Sequence, residues 1–222
     1  MGMIMNDRVA QVAAGLDAIA VPLAIDRLNK LGLDGSGAYG FYEVRLARGT
    51  IFSNYDLALA RALSAWPGTP ERIHEIGGGF GGLSLLLAAL GFKATSLEVD
   101  PKRFQGGMAL MAGINNAFPA VRENGRMVLA RFPMPPGDLP PGGAMAVITN
   151  LICTTTAQAK AAILAALRPY RFSIVDIDGF LTHAKSLEAR VARLEAFEAA
   201  GLAGEPILDL GASACFYRFV GA

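Results

Sequence analysis

A run of glycines between a predicted strand and a predicted helix constrains the fold of this chain more than any other feature. The strand Arg72–Ile76 leads directly into five glycines within Gly77–Gly82, and an apolar helix continues to Leu90. Glycine has no Cβ, so a turn of this kind lets the backbone approach a ligand closely. In open α/β sheets such a turn lies at the carboxyl edge of the strands, where ligands bind. The sequence therefore predicts an α/β sheet with a ligand site at this turn.

Strand and helix patterns alternate along the rest of the chain, which predicts a mostly parallel sheet with helices on both faces. A helix beginning at Asp100 is indicated by aspartate at the N-cap followed by Pro101. The C-terminal helix is expected to bury Leu187, Val191, Leu194 and Phe197 on one face and to end at Gly201 as its C-cap. Further helices are predicted over residues 4–31, from Ser53 to before Pro67, and over Thr155–Leu167 and Thr182–Ala200. Further strands are predicted over Lys93–Val99, Arg126–Phe132, Ala144–Thr149, Phe172–Ile177, Ile207–Leu210 and Cys215–Val220.

The chain divides into an N-terminal helical extension, residues 1–52, and a main domain, residues 53–222. The apolar stretch Val9–Ile25 is interrupted by Asp17 and Pro22. A helix that spans a membrane needs about 20 apolar residues with few charges. We therefore expect no membrane segment and no signal peptide, and a cytoplasmic location.

The charge balance and the cysteine content indicate which ligands and cross-links the chain is not expected to have. The 20 Lys and Arg residues nearly balance the 19 Asp and Glu residues, so the chain lacks the basic field that binds nucleic acid. The two cysteines, Cys153 and Cys215, form no disulfide framework. No His, Cys and Asp cluster has metal-ligand spacing, so we predict no metal site.

Two acidic residues flank the glycine turn and suggest what it binds. Glu98, at the end of the next strand, lies 21 residues beyond Gly77, a spacing that suits a carboxylate accepting hydrogen bonds from a ribose diol. Gly77, Gly79 and Gly82 also satisfy the dinucleotide pattern G-x-G-x-x-G, so an NAD(P)-dependent oxidoreductase is an alternative. Glu75, two residues before the first glycine, would repel a pyrophosphate and attract a cationic ligand.

The segment Glu75–Gly81 resembles the motif of class I S-adenosylmethionine-dependent methyltransferases, an acidic residue and an apolar residue followed by G-x-G-x-G. Leu97–Asp100 resembles the second-strand acid of that family, and the final hairpin is similar to its antiparallel seventh strand. The likeness extends from about Ser53 to the C-terminus and does not include residues 1–50. It implies a Rossmann-like class I methyltransferase sheet, mostly parallel with an antiparallel C-terminal strand, plus the N-terminal helical extension.

The resemblance also implies roles for individual residues. Glu75 would face the methionine ammonium of S-adenosylmethionine, and Glu98 would hold the ribose. The acid that often follows the third strand in the family, near the adenine, is missing at Ala130–Pro133, and Asp138 is the nearest acid. The expected cofactor-binding residues are Glu75, Gly77, Gly78, Gly79, Phe80, Gly81, Glu98 and Val99.

Catalytic candidates follow the fourth and fifth strands, beside the expected donor site. His183 has a side chain whose pKa suits base catalysis near neutral pH, and Asn150 and Asp178 are the other two candidates. Asp176 and Asp178 alternate, which predicts that they point to the same face of the strand. The [DN]-P-P-[YF] signature of many amino-group methylases is absent near Thr149, which disfavours methylation of nitrogen in bases or glutamine.

These features predict methyl transfer from S-adenosylmethionine to a small-molecule acceptor. Glu75–Leu83 is similar to the corresponding segment of sugar O-methyltransferases, which implies O-methylation of a sugar or similar polar metabolite. The extension would serve as a lid or a homodimer contact, and its aromatic residues would line the acceptor pocket or pack on the core. A catalytically degenerate binding or scaffold protein and an NAD(P)-dependent oxidoreductase remain the alternatives. The aromatic residues concerned are Tyr39, Phe41, Tyr42 and Tyr55.

Overall fold

The computed structural model describes residues 2–32, 39–134, 144–149, 151, 156–181, 186–211 and 214–221, with side chains from Arg8 onward. Its helices are α1 (Gly2–Lys30), α2 (Gly40–Ala47), α3 (Asn54–Ala65), α4 (Gly82–Ala89), α5 (Pro101–Ile114), α6 (Pro119–Asn124), α7 (Ala157–Leu167) and α8 (Leu187–Ala199). Its strands are β1 (Arg72–Ile76), β2 (Lys93–Glu98), β3 (Gly125–Leu129), β4 (Met145–Ile148), β5 (Phe172–Asp176), β6 (Leu202–Asp209) and β7 (Cys215–Gly221).

The seven strands form one sheet in the order β3-β2-β1-β4-β5-β7-β6. Strands β1 to β5 pair in parallel, whereas β7 pairs antiparallel with both β5 and β6. The strand order reverses direction between β1 and β4, and such a switch point opens a crevice at the carboxyl edge of the sheet. The predicted mostly parallel sheet with an antiparallel C-terminal strand is confirmed.

Capping residues start the helices where the sequence predicts. Ser53 Oγ accepts a hydrogen bond from the Asp56 amide at 3.1 Å, and Asp56 Oδ2 accepts one from the Ser53 amide at 2.7 Å. This reciprocal pair is a capping box and begins α3. Asp100 caps α5 by accepting from the Lys102 and Arg103 amides. The placement of α3 and α5 was therefore predictable from local sequence.

Helix α1 packs on α3 and α5 and joins the core that surrounds α4, with Leu16 and Ala20 fully buried. The helix continues through Pro22. Its segment Arg8–Lys30 is long enough to cross a membrane and contains an 18-residue window with a mean hydropathy of 1.5, although a core helix of a soluble protein meets the same test. The expectation that no stretch reaches this length and hydropathy is thus wrong.

Other differences arise where tertiary contacts override local pattern. Helices α2 and α6 were not predicted, and β6 begins at Leu202, well before the predicted Ile207, because it pairs along β7. In α8, Leu187 and Val191 are exposed. Arg193 is buried there instead, and its guanidinium donates to the carbonyls of Ile177 and Asp178. The C-cap of α8 is Ala200, and Gly201 follows it at a φ of 77°.

Candidate functional site

The glycine turn connects β1 to α4 and is held firmly to β2. The amides of Gly77 and Gly78 both donate to the carbonyl of Leu97, and the Gly81 amide donates to the carbonyl of Gly78. Gly79 and Gly81 have φ values of 62° and 75°, a region that favours glycine over residues with a Cβ. The turn therefore has a defined shape before any ligand arrives.

Gly78 and Gly79 lie where side chains would collide with their surroundings. A Cβ on Gly78 would overlap Ser96 Oγ and approach the Glu75 carboxyl group at 2.8 Å. A Cβ on Gly79 would overlap the Tyr42 hydroxyl group. The turn thus needs glycine at both positions because neighbouring side chains occupy the space above it.

Glu75 is buried at the end of β1, beside the N-terminus of α4. Its Oε2 accepts hydrogen bonds from the amide of Ser84 at 3.0 Å and from the hydroxyl of Ser84 at 2.7 Å. Burial raises the pKa of Glu75 to about 8; the bonds from Ser84 oppose this rise, and the charges of Asp56 and Glu98 add to it. A cation placed beside Glu75 would favour its ionised form.

We expect Glu75 to make the folded protein less stable as the pH rises from about 5 to about 8. In the unfolded chain Glu75 has a pKa near 4.5 and is ionised across that range. In the folded protein Glu75 keeps its proton until about pH 8. Urea denaturation at several pH values would measure this loss, which we expect to reach a few kcal/mol. Glu75→Gln should remove the same loss, because glutamine is neutral at every pH. If the free energy of unfolding of the two proteins depends on pH with the same slope, the role of Glu75 in this pH dependence is contradicted.

Glu98 is buried and holds the turn and the start of the next loop together. Its Oε2 accepts from the Gly79 amide at 2.7 Å, and its Oε1 accepts from the amides of Val99 and Asp100, each at 2.8 Å. A carboxylate oxygen has two lone pairs, so Oε2 can accept one further hydrogen bond. Glu98 therefore combines a structural role with one acceptor site for a ligand hydroxyl.

Helix α2 of the N-terminal extension lies directly over the glycine turn. The Tyr42 hydroxyl accepts a hydrogen bond from the Phe80 amide at 3.1 Å, and the two rings stack with centroids 4.3 Å apart. The Tyr39 hydroxyl donates to Asp100 Oδ2 at 3.0 Å. Each amide from Gly77 to Gly81 thus has a partner within the protein.

A cavity of about 460 Å³ opens between α2, α3 and the glycine turn, a size typical of small-molecule sites. Five of the predicted cofactor-binding residues line it, together with Thr149 after β4. Gly81, Glu98 and Val99 are not among the described residues that line it; Glu98 is 2% exposed, and Val99 is 53% exposed on the outer surface. The predicted residues on the cavity wall are Glu75, Gly77, Gly78, Gly79 and Phe80.

Charged residues that the sequence analysis did not single out also line this cavity. Arg45 on α2 and Arg103 on α5 contribute guanidinium groups, and Asp56 on α3 contributes a buried carboxyl group. Burial raises the pKa of Asp56, although Arg45 and hydrogen bonds from Ser53 oppose the rise. No sequence pattern marks these residues as part of a site, because α2, α3 and α5 meet only through tertiary packing; the capping box marks Asp56 only as part of a helix start.

The predicted catalytic residues lie away from this cavity or outside the described residues. Asp178 is bound through both carboxylate oxygens by Arg190, at 2.9 and 2.6 Å, and is not among the described residues on the cavity wall, which argues against direct catalysis. Strand β5 ends at Asp176, and Asp178 lies in the turn that follows it. The prediction that both aspartates point to the same face of one strand is therefore wrong.

Other predicted residues fall on parts of the chain that the structure does not describe. They are Asn150, His183, Asp138 and Cys153. Among described side chains, no cluster of three His, Cys, Asp or Glu could hold a metal.

Comparison with solved structures identifies proteins that share the fold of this chain. No protein-family model matches the sequence, and no curated protein matches it. The methyltransferase domain of bacterial CtHen1 superposes with a TM-score of 0.58 at 15% identity, covering 76% of this chain and 97% of that one. A TehB-like SAM-dependent methyltransferase from Corynebacterium glutamicum superposes with a TM-score of 0.55 at 14% identity. The alignment covers 83% of this chain and 96% of that protein.

The mitomycin 7-O-methyltransferase MmcR is also similar, with a TM-score of 0.57 at 13% identity. The alignment covers 86% of this chain and 60% of MmcR, so this chain spans less than two thirds of that protein. The likeness of the three structures to this chain is one of fold alone. The architecture is that of the class I methyltransferases.

Proposed function

We propose that this chain, which has the class I methyltransferase fold, transfers a methyl group from S-adenosylmethionine to an oxygen of a small molecule. The observation that carries the proposal is the buried Glu75 carboxyl group beside the glycine turn, on the wall of a cavity at the switch point of the sheet. A sugar or similar polar metabolite in the cytoplasm is the acceptor that we favour. The donor's ammonium would lie against Glu75.

The position of Glu75 also disfavours the NAD(P)-dependent alternative. Dinucleotide enzymes place the pyrophosphate at a helix N-terminus, where free backbone amides and the helix dipole bind it. Here the Ser84 amide, in the first turn of α4, already donates to Glu75. The amides of Gly79 and Phe80 donate to Glu98 and Tyr42. A pyrophosphate would meet a carboxyl group and three amides that are already paired, whereas S-adenosylmethionine has no phosphate.

The two acidic residues at the turn fit the proposed donor. Glu75 suits the donor's ammonium group, and Glu98 has an acceptor site for a ribose hydroxyl. Since Glu98 is 2% exposed, a ribose reaches its carboxylate only after neighbouring groups move. Helix α2 is the element that covers this edge, through Tyr39 and Tyr42, which supports a lid role for the extension rather than a dimer contact.

S-adenosylmethionine supplies an electrophilic methyl group on a sulfonium, and the acceptor oxygen displaces the sulfur as its proton is released. The protein's part is therefore mainly to align the two reactants, which can contribute about 7–11 kcal/mol. A hydroxyl acceptor also needs a base, worth about 10²- to 10⁴-fold in rate. Asn150 and His183, after β4 and β5, remain our candidates for orienting the acceptor and for accepting its proton.

Calorimetric titration with S-adenosylhomocysteine, with NADH and NADPH in parallel, tests the proposed function. We expect S-adenosylhomocysteine alone to bind, with a dissociation constant in the micromolar range. Binding of a nicotinamide cofactor instead would overturn the proposal. Binding of S-adenosylhomocysteine with no methyl transfer to any member of a broad acceptor panel would support the scaffold alternative.

A further inference from the structure

Two arginines from different helices line the cavity together with residues of the glycine turn. The guanidinium carbon of Arg45, on α2, lies 5.4 Å from the centroid of the Phe41 ring, and that of Arg103, on α5, lies 5.9 Å from the same centroid. Both arginines and Phe41 line the cavity. Two cations therefore flank one aromatic ring that is 42% exposed.

Arg45 is held in place by its neighbours. Its Nη2 donates to the Tyr55 hydroxyl at 3.0 Å, and its guanidinium carbon lies 6.0 Å from the Tyr42 ring centroid and 5.7 Å from the Tyr55 ring centroid. Its side chain is 20% exposed. A guanidinium ordered in this way loses little further entropy when it binds a carboxylate.

The charge of Arg45 is only partly balanced within the protein. Among the described residues, its nearest acidic oxygen is Asp56 Oδ2, 4.0 Å from Nη1, which is beyond hydrogen-bond distance. That oxygen is already bound at 2.7 Å by the Ser53 amide. A largely buried cation without a close counter-ion is costly, and an anion from a ligand would offset that cost.

We propose that the methyl acceptor is an anion, a small molecule whose carboxylate binds Arg45 beside the Phe41 ring. This inference rests on the proposed function and names the class of acceptor. The donor carries positive charge at its sulfonium and ammonium groups, which suits the end of the cavity at Glu75. The arginines near α2 and the Glu75 carboxyl group, whose ionised form a cation favours, therefore assign the donor to the glycine turn and an anionic acceptor to α2. The guanidinium group of Arg103, which lies 5.9 Å from the centroid of the Phe41 ring, adds positive electrostatic potential there.

Fluorine-19 NMR of para-fluorobenzoate and its neutral amide, para-fluorobenzamide, tests this inference on the protein saturated with S-adenosylhomocysteine. We expect the acid to bind and its fluorine signal to broaden, and the amide to bind at least tenfold more weakly. Arg45→Gln should weaken binding of the acid at least tenfold, and Arg45→Lys, which keeps the charge, should weaken it less. Arg48→Gln is the matched control, because Arg48 is exposed at the end of the same helix.

The affinity of each variant for S-adenosylhomocysteine separates the outcomes. If Arg45→Gln weakens this affinity as much as it weakens that of the acid, Arg45 binds the donor's own carboxylate and the inference is wrong. Equal binding of the acid and the amide, or no binding of the acid, would also overturn it. Failure of the wild-type protein to bind S-adenosylhomocysteine would instead overturn the proposed function. Thermal unfolding of each variant confirms that it is folded.

Discussion

Replacing Gly78 with alanine is expected to lower the free energy of unfolding by about 3 kcal/mol. The new Cβ would overlap Ser96 Oγ and press on the Glu75 carboxyl group. Overpacking of this kind costs about 1–3 kcal/mol, and disturbing the buried hydrogen bonds between Glu75 and Ser84 adds about 1–3 kcal/mol. Urea denaturation of the wild-type and variant proteins measures the difference.

Ser96 provides a sharp control for this prediction. The buried Oγ of Ser96 has no hydrogen-bond partner among the described residues, so Ser96→Ala alone should cost little stability. In the double variant, Ser96→Ala should restore part of the stability that Gly78→Ala removes, because it deletes the atom that the Cβ overlaps. Gly40→Ala, where no atom lies within 4 Å of the added Cβ, should be close to neutral. Full additivity of the Gly78 and Ser96 substitutions would contradict the proposed collision.

Glu98→Gln should reduce the affinity for S-adenosylhomocysteine at least 100-fold, a loss of about 2.7 kcal/mol. The carboxylate accepts hydrogen bonds from three backbone amides, those of Gly79, Val99 and Asp100. A glutamine side chain has only one acceptor oxygen, so its NH₂ group would face a donor. The variant therefore loses the acceptor for the ribose and loosens the turn. Calorimetry measures the affinity directly.

Lost stability alone could also reduce binding, and Thr156→Ala controls for it. Thr156 caps α7 by accepting from the Ala159 amide in an exposed position, and it is absent from the described walls of the cavity. Removing this cap should cost about 1 kcal/mol and leave the affinity unchanged. If Glu98→Gln also leaves the affinity unchanged, Glu98 is a structural residue and does not hold the ribose.

The two glutamates at the turn illustrate how one motif serves folding and binding together. Glu75 accepts from a helix amide and a hydroxyl of Ser84, and Glu98 accepts from the turn itself. Each carboxyl group is buried among groups that it helps to hold. Substitutions at either residue therefore need both a stability readout and a binding readout, as in the experiments above.

Most of the sheet and the position of the turn were predictable because they depend on short-range signals. Strand β1 has the predicted bounds, Arg72–Ile76, and the caps at Ser53 and Asp100 begin α3 and α5 as expected. These features follow from residues within a few positions of one another, through side-chain caps and through backbone conformations that glycine permits. The resemblance carried by Glu75–Gly81 rests on the same local pattern.

By itself, then, the sequence determined the fold class, the order of most of the elements and the place of the glycine turn. Only the tertiary structure decided that Tyr42 stacks on Phe80, 38 positions away, and that Arg45 lies beside Asp56 in the wall of the cavity. Such contacts depend on how α2 docks on the sheet, and no periodicity or cap encodes that docking. The physical reason is that caps and turns act between near neighbours, whereas the cavity forms from residues that meet only after the chain has packed.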